Sequence, residues 1–282
     1  QPWEFAGREG HKLLTEHYEV LTTTNDARLL ETFPELLERS YEQYHSWVPA
    51  REEAPARMRV YLFNTRGEWV AFTRRFTGEH ADIYLKIHNG GYSLRGVSVI
   101  QYVSHPVTFP LLAHEGFHQY LDQCVNPNVP AWINEGLAVV SECQRWTGGG
   151  LQEFDPWYNP SRRNHLGEAL LRERLMPLQR LLDTHAGEVV LETSDVVRTY
   201  YAQVWGLMLF LWYGEDGKYA ADFERLCDDL SKPGLDRRLR AEAMFTEGGE
   251  LSRGAALFRA YIGEDISELD KQYQQFLRER IL

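Results

Sequence analysis

Leu111-Leu112-Ala113-His114-Glu115-Gly116-Phe117-His118 opens a run that continues through Trp132-Ile133-Asn134-Glu135-Gly136-Leu137-Ala138 to Glu142. The first segment contains H-E-x-x-H, and sixteen residues separate His118 from Glu135. Residues four apart on an α-helix lie one turn apart on one face, so His114 and His118 can offer two imidazole nitrogens to a single ion. Leu111, His114, Phe117, His118 and Leu121 fall within about 120° of one another at 100° per residue, which places both histidines in the apolar stripe. Glu115 is rotated about 100° from His114, off the metal axis and close to it. Thr108 is the expected N-cap, with Pro110 in the first turn.

A second helix is expected after Asn128 or Val129, with Pro130 in its first turn. Trp132, Glu135, Val139 and Glu142 share one face of it. A carboxylate on an apolar face is costly unless paired or coordinated. Two antiparallel helices joined by a short loop would bring Glu135 against the histidines. A His, His, Glu set with an open fourth position is the arrangement of catalytic zinc, whereas structural zinc is closed by four protein ligands. Two core histidines satisfied by hydrogen bonds are the alternative. Each buried ring needs a partner, however, and one shared cation serves both. One Zn2+ ion is the expected cofactor.

H-E-x-x-H followed by W-x-N-E-G-x-A resembles the gluzincin metallopeptidases, the class of thermolysin and the zinc aminopeptidases. More narrowly, the runs HEGFHQYL and PAWINEGLAVVSE resemble the peptidase MA-like family of bacterial secreted proteins. Tyr18-Glu19-Val20 before a long helix is similar to the family's opening, Val60-Tyr61-Leu62-Phe63 to its next strand, and Tyr200-Tyr201-Ala202-Gln203-Val204-Trp205 to its later helix. The resemblance implies an α+β, thermolysin-like fold. Residues 1–147 would form an N-terminal lobe with a mixed β-sheet and both zinc-binding helices. Residues 148–282 would form a mainly helical lobe that completes the cleft. It implies secretion or a periplasmic location, and hydrolysis of peptides or proteins with Glu115 as general base. It also implies an oxyanion donor from the C-terminal lobe: Tyr201 is the candidate by alignment with Ala202-Gln203-Val204-Trp205, Tyr200 is the rival, and His165 and His185 are further options. Where thermolysin has an acidic residue one turn after its glutamate ligand, this chain has Val139. Glu142, two turns on, is the substitute that could orient a ligand histidine; the alternative is a surface charge at a helix end.

The bulk numbers narrow the field. Among 282 residues, 43% are hydrophobic and eight are tryptophan, enough for a well-packed core. A net charge of −11 argues against nucleic acid or an anionic membrane as partner. No run of eighteen apolar residues is present, so no integral membrane segment is expected, and no signal peptide is visible. Cys124 and Cys143 would lie at opposite ends of antiparallel helices roughly 18 Å long, too far apart for a disulfide. With Cys227 they are expected as buried free thiols.

Along the chain, residues 17–23 read as a strand, Asn25 or Asp26 caps a long helix containing Pro34, Met58 to Phe63 is a strand, and a short helix runs from about Arg66 to Phe76. Ala81 to Ile87 and Val97 to Val103 read as two strands around the turn Asn89-Gly90-Gly91. In gluzincins the strand before the zinc helix walls the cleft, and Gly96 to Val103 resembles it; an exposed edge there could pair with an extended peptide. An interior strand is the alternative. Gly148-Gly149-Gly150 and Asp155-Pro156-Trp157 mark the lobe boundary. Beyond it lie helices at Met176 to Leu182, from Ser194 or Asp195 onward, near 218–230, 236–246 and 250–262, and from 266 to the end. Gly206, inside the helix from Ser194 or Asp195, is expected to allow close packing against a neighbour.

The expectation is a zinc peptidase, an endopeptidase because no residue set for gripping a free amino terminus stands out. The competing expectations are a catalytically weak zinc-fold protein that holds a peptide or glycopeptide in its cleft, and a purely structural metal site. An intact Glu115 and only three visible ligands weigh against both.

Overall fold

Two strands precede the one read first from the sequence. β1 (Pro2–Phe5) and β2 (Arg8–Leu14) form a hairpin whose turn residues, Ala6 and Gly7, both take positive φ, as a two-residue type I′ connection requires. β3 (Tyr18–Thr22) follows, then α1 (Ala27–Trp47), with Asp26 Oδ1 accepting from the Leu29 amide at 3.0 Å. The computed structural model describes residues 1–55, 57–87, 90–147, 150–184, 186–189, 192–235, 237 and 251–282. The expected Asn89 turn, the Gly148-Gly149 loop, His185 and the helix near 236–246 fall wholly or partly outside them.

The architecture is α+β. β4 (Met58–Phe63), β5 (Gly91–Leu94) and β6 (Val97–Gln101) complete a six-stranded mixed sheet of order β1-β2-β3-β4-β6-β5. β3, β4 and β6 run parallel, and β1, β2 and β5 pair antiparallel. One expectation is corrected here, and one left open is settled. The segment from Ala81 forms α3 (Ala81–Tyr84), not a strand, and Ile83 is 64% exposed. Tyr84, Leu85 and Ile87 pack beside the Trp69 and Tyr92 cluster. The segment resembling the cleft-wall strand, β6, is interior, lying between β4 and β5. β5 is the edge on that side, joined to β6 by Arg95-Gly96, both at positive φ. Gly91 belongs to β5, where an added Cβ would meet Ile100 Cδ1 at 2.3 Å.

Contacts divide the chain into two units, and not by a single cut after residue 147. The first comprises residues 1–46, 50–127 and 144–154; the second comprises 47–49, 128–143 and 155–282. In the first, the sheet packs with α1 and with α2 (Arg66–Thr77), which starts on a Thr65–Glu68 capping box. Trp69 of α2 donates its indole N–H to the Val99 carbonyl at 3.2 Å. The helix α4 (His105–Tyr120) and the hairpin of β7 (Gln144–Thr147) and β8 (Gly150–Phe154) belong to this unit.

The second unit holds α5 (Ala131–Ser141), α6 (Pro160–Leu171), α7 (Leu178–Asp183), α8 (Ala186–Val189), α9 (Ser194–Tyr213), α10 (Ala220–Asp229), α11 (Arg253–Tyr261) and α12 (Ile266–Ile281). Its core helix is α9, buried on every side from Ala202 to Leu211, as a helix apolar all round must be. Gly206 does allow a close approach: an added Cβ would meet Leu277 of α12 at 2.8 Å and Leu166 of α6 at 3.1 Å. Gly136 of α5 faces Met208 of α9 at 2.9 Å in the same sense. No helix of the described residues is long and apolar enough to cross a membrane.

Candidate metal centre

α4 begins one turn earlier than the sequence suggested. Ser104 is its N-cap and Pro106 occupies its first turn, so Pro110 is inside the helix. Thr108 instead accepts the Val103 amide through Oγ1 at 3.0 Å. Two proline signals stand four residues apart, and the first is the true start. The i,i+4 relation of the histidines is unaffected. Their Nε2 atoms lie 3.1 Å apart, and their rings meet nearly edge-on at 86°. His114 is 9% exposed.

The backbone carrying these rings is tied down on several sides. Tyr44 of α1 donates its hydroxyl to the Ala113 carbonyl at 2.6 Å. It can do so because residue 116 is glycine: a Cβ there would stand 2.9 Å from the Tyr44 oxygen. Gln119 is fully buried; its Nε2 donates to the Arg59 and Gly96 carbonyls, both at 2.7 Å, and its Oε1 accepts from Ser98 at 2.9 Å. Both donors of its amide and one of the two acceptor sites on its oxygen are thus used. After Tyr120 the helix widens into a π turn, Leu121–Val125, whose Cys124 carbonyl accepts the Arg51 amide at 2.8 Å. Such turns are frequent at functional sites. Gln119 was not singled out from the sequence. A polar residue inside a buried helical stripe, which must find partners, was the available signal.

α5 is buried along nearly its whole length, with Pro130 as N-cap and not inside the first turn. Glu135 is 7% exposed. Beside it stands Tyr200 of α9, fully buried, its hydroxyl without a hydrogen-bond partner among the described residues. Burial, with the charge of Glu135 next, pushes the Tyr200 phenol well above its ordinary range. Tyr201, the expected oxyanion donor, is half-buried, packs edge-on against Tyr200 at 5.5 Å, and carries the Arg162 guanidinium 5.2 Å above its ring.

Ligand atoms of His114, His118 and Glu135 lie within 4.8 Å of one another, and this is the one such group of three among the described residues. The donor chemistry fits zinc: two imidazole nitrogens and one carboxylate oxygen. The 3.1 Å between the imidazole nitrogens is close to the edge, about 3.3 Å, of a tetrahedron with metal–nitrogen bonds of about 2.05 Å. Glu115 occupies the next position on α4 and is half-buried.

Glu142 proves to be no loose surface charge. Its carboxylate accepts from Arg162 at 3.0 Å and from Asn159 Nδ2 at 3.1 Å, while Asn159 Oδ1 caps α6 by accepting the Arg162 amide. Glu142, Arg162 and Tyr201 therefore form a chain of contacts. His165 lies on α6, where burial first, then Arg162 and Arg198, lower its proton affinity. Cys124, Cys143 and Cys227 are free and buried, as expected.

Comparison with family models, with curated proteins and with solved structures yields no significant match.

Proposed function

We propose that this chain is a zinc-dependent peptide hydrolase of the gluzincin kind. His114, His118 and Glu135 would hold one Zn2+ ion, and Glu115 would act as general base. The observation carrying this reading is that the three ligand atoms fall within 4.8 Å of one another, with a carboxylate next to the first histidine on the same helix. When bound, the ion supplies Lewis acidity, which makes water more acidic and a carbonyl more electrophilic.

The rest is the work of the chain. As a water oxygen adds to the amide carbon, Glu115 takes its proton; when the carbon–nitrogen bond breaks, Glu115 returns that proton to the leaving nitrogen. The oxygen that gains negative charge needs a further donor. Tyr201 fills that role in our reading, and Tyr200, beside Glu135, is the other hydroxyl that could. Glu142 then acts on Tyr201 through Arg162. The substrate is a peptide or protein, cleaved internally.

Glu115→Gln tests the reading directly. The variant should keep the zinc content of the parent and lose peptide hydrolysis by about a hundredfold to ten-thousandfold. Hydrolysis at the parental rate would remove Glu115 from the mechanism.

A further inference from the structure

The second unit contains a cavity of about 360 Å3 formed by α6, the segment that follows it, α7 and the first turn of α9. Four arginines line it: Arg172, Arg174, Arg180 and Arg198. Only two carboxylates, Glu168 and Asp195, accompany them. In a chain of net charge −11, this is a local reversal of sign. Arg174 reaches Asp195 at 3.8 Å. The side chains of Arg172, Arg180 and Arg198 have no hydrogen bond or ion pair among the described residues. Unpaired guanidinium groups around one concavity repel one another, and each presents a fork of N–H donors suited to an oxyanion.

Three independent features agree with this. The twenty-residue helix α9 opens onto the cavity, and its N-cap Thr193, which lines the wall, makes no side-chain capping bond. The first-turn amides of a long helix favour an anion. His165, also in the wall, has a buried Nδ1 without a partner among the described residues. Met176 in the wall is held from behind: the fully buried Gln203 donates to its carbonyl at 3.0 Å and accepts its amide at 2.8 Å. A neighbouring cavity of about 450 Å3 shares Met176, Pro177, Arg180 and Val196, leaving room beside the charged end for the rest of a larger molecule.

We propose that this cavity binds an oxyanion carrying two or more negative charges, of phosphate or polycarboxylate type, as the end group of a small ligand. The inference is independent of the metal centre and holds equally in the Glu115→Gln protein.

Calorimetric titration of the full chain with pyrophosphate, and separately with citrate, at fixed ionic strength in chloride tests it. One saturable site is expected for at least one of the two probes, and the tighter one identifies the source of the charge. The pair Arg180→Gln with Arg198→Gln should weaken that binding about tenfold or more, a change of about 1.4 kcal/mol. Arg39→Gln, far along the chain on α1, should leave it unchanged. If the pair unfolds, either single substitution must still weaken binding several-fold. Absence of saturable binding by both probes, or binding undiminished in the arginine variants, would overturn the proposal.

Discussion

Tyr44 donates its hydroxyl to the carbonyl of Ala113 at 2.6 Å, one residue before the first histidine of H-E-x-x-H, across the gap left by Gly116. The glycine inside the motif thus has a packing reason: a Cβ would stand 2.9 Å from the phenolic oxygen and at least 3.6 Å from the ring carbons. Gly116→Ala should therefore destabilise the chain by about 1–3 kcal/mol through overpacking. In a Tyr44→Phe background, which itself loses a hydrogen bond worth about 1 kcal/mol, the clash disappears. The alanine should then be neutral or stabilising by up to about 1 kcal/mol, since alanine is the better helix former. A double-mutant cycle in urea reads the coupling. Simple additivity would show that the hydroxyl is not what the glycine accommodates.

Zinc should behave as a ligand of the native state. The parent is expected to bind one ion per chain and to gain about 2.7 kcal/mol at a free zinc concentration one hundred times Kd. His118→Ala and Glu135→Ala should each lose most of that gain. Elemental analysis with thermal unfolding checks both, and a Glu135→Ala protein that binds as tightly as the parent would remove the carboxylate from the set.

Asn159 serves two partners, capping α6 and donating to Glu142. Asn159→Ala should cost about 0.5–2 kcal/mol from the cap alone. Glu142→Gln should cost about 1–2 kcal/mol, because the Arg162 side chain is only 20% exposed and loses its charged partner. If Tyr201 is the oxyanion donor, Glu142→Gln should also lower kcat with KM little changed. Tyr201→Phe should reproduce that pattern, and Arg162→Lys should retain more rate than Arg162→Ala.

The buried thiols set an alkaline limit. Burial pushes Cys124 from 9.0 up to about 11, and Tyr92 from 10.0 up to about 12. Each group keeps its proton in the native state at pH values where the unfolded chain has released it. Their contribution is thus complete below pH 9 and falls as pH rises from 9 to 11 for the thiol and from 10 to 12 for the phenol. The slope is about 1.4 kcal/mol per pH unit for each group. Urea midpoints between pH 8 and 11 check the sign. A disulfide-exchange reagent should find no reactive thiol in the native chain and three in the unfolded one.

Much of this architecture was legible because its signals are local. The long helices from Ala27 and Ser194, the latter buried all round from Ala202 to Leu211, and the strand at Met58 follow from periodicity and capping within a few residues. One short element was misread: the segment from Ala81 is a single helical turn where a strand is expected. The first hairpin went unread because Ala6-Gly7 is a weak turn signal beside the usual Asn-Gly or Asp-Gly.

By itself the sequence determined the i,i+4 placement of His114 and His118, the donor types, and the carboxylate of Glu115 next to the first ring, since helix geometry alone dictates these. Only the tertiary structure decided that Glu135 comes within reach of both imidazoles, that β5 and not β6 is the sheet edge, and that Gln119, Tyr44 and Gly116 brace the motif. Those depend on which distant segments pack together, and packing over tens of residues leaves no periodic trace in the chain.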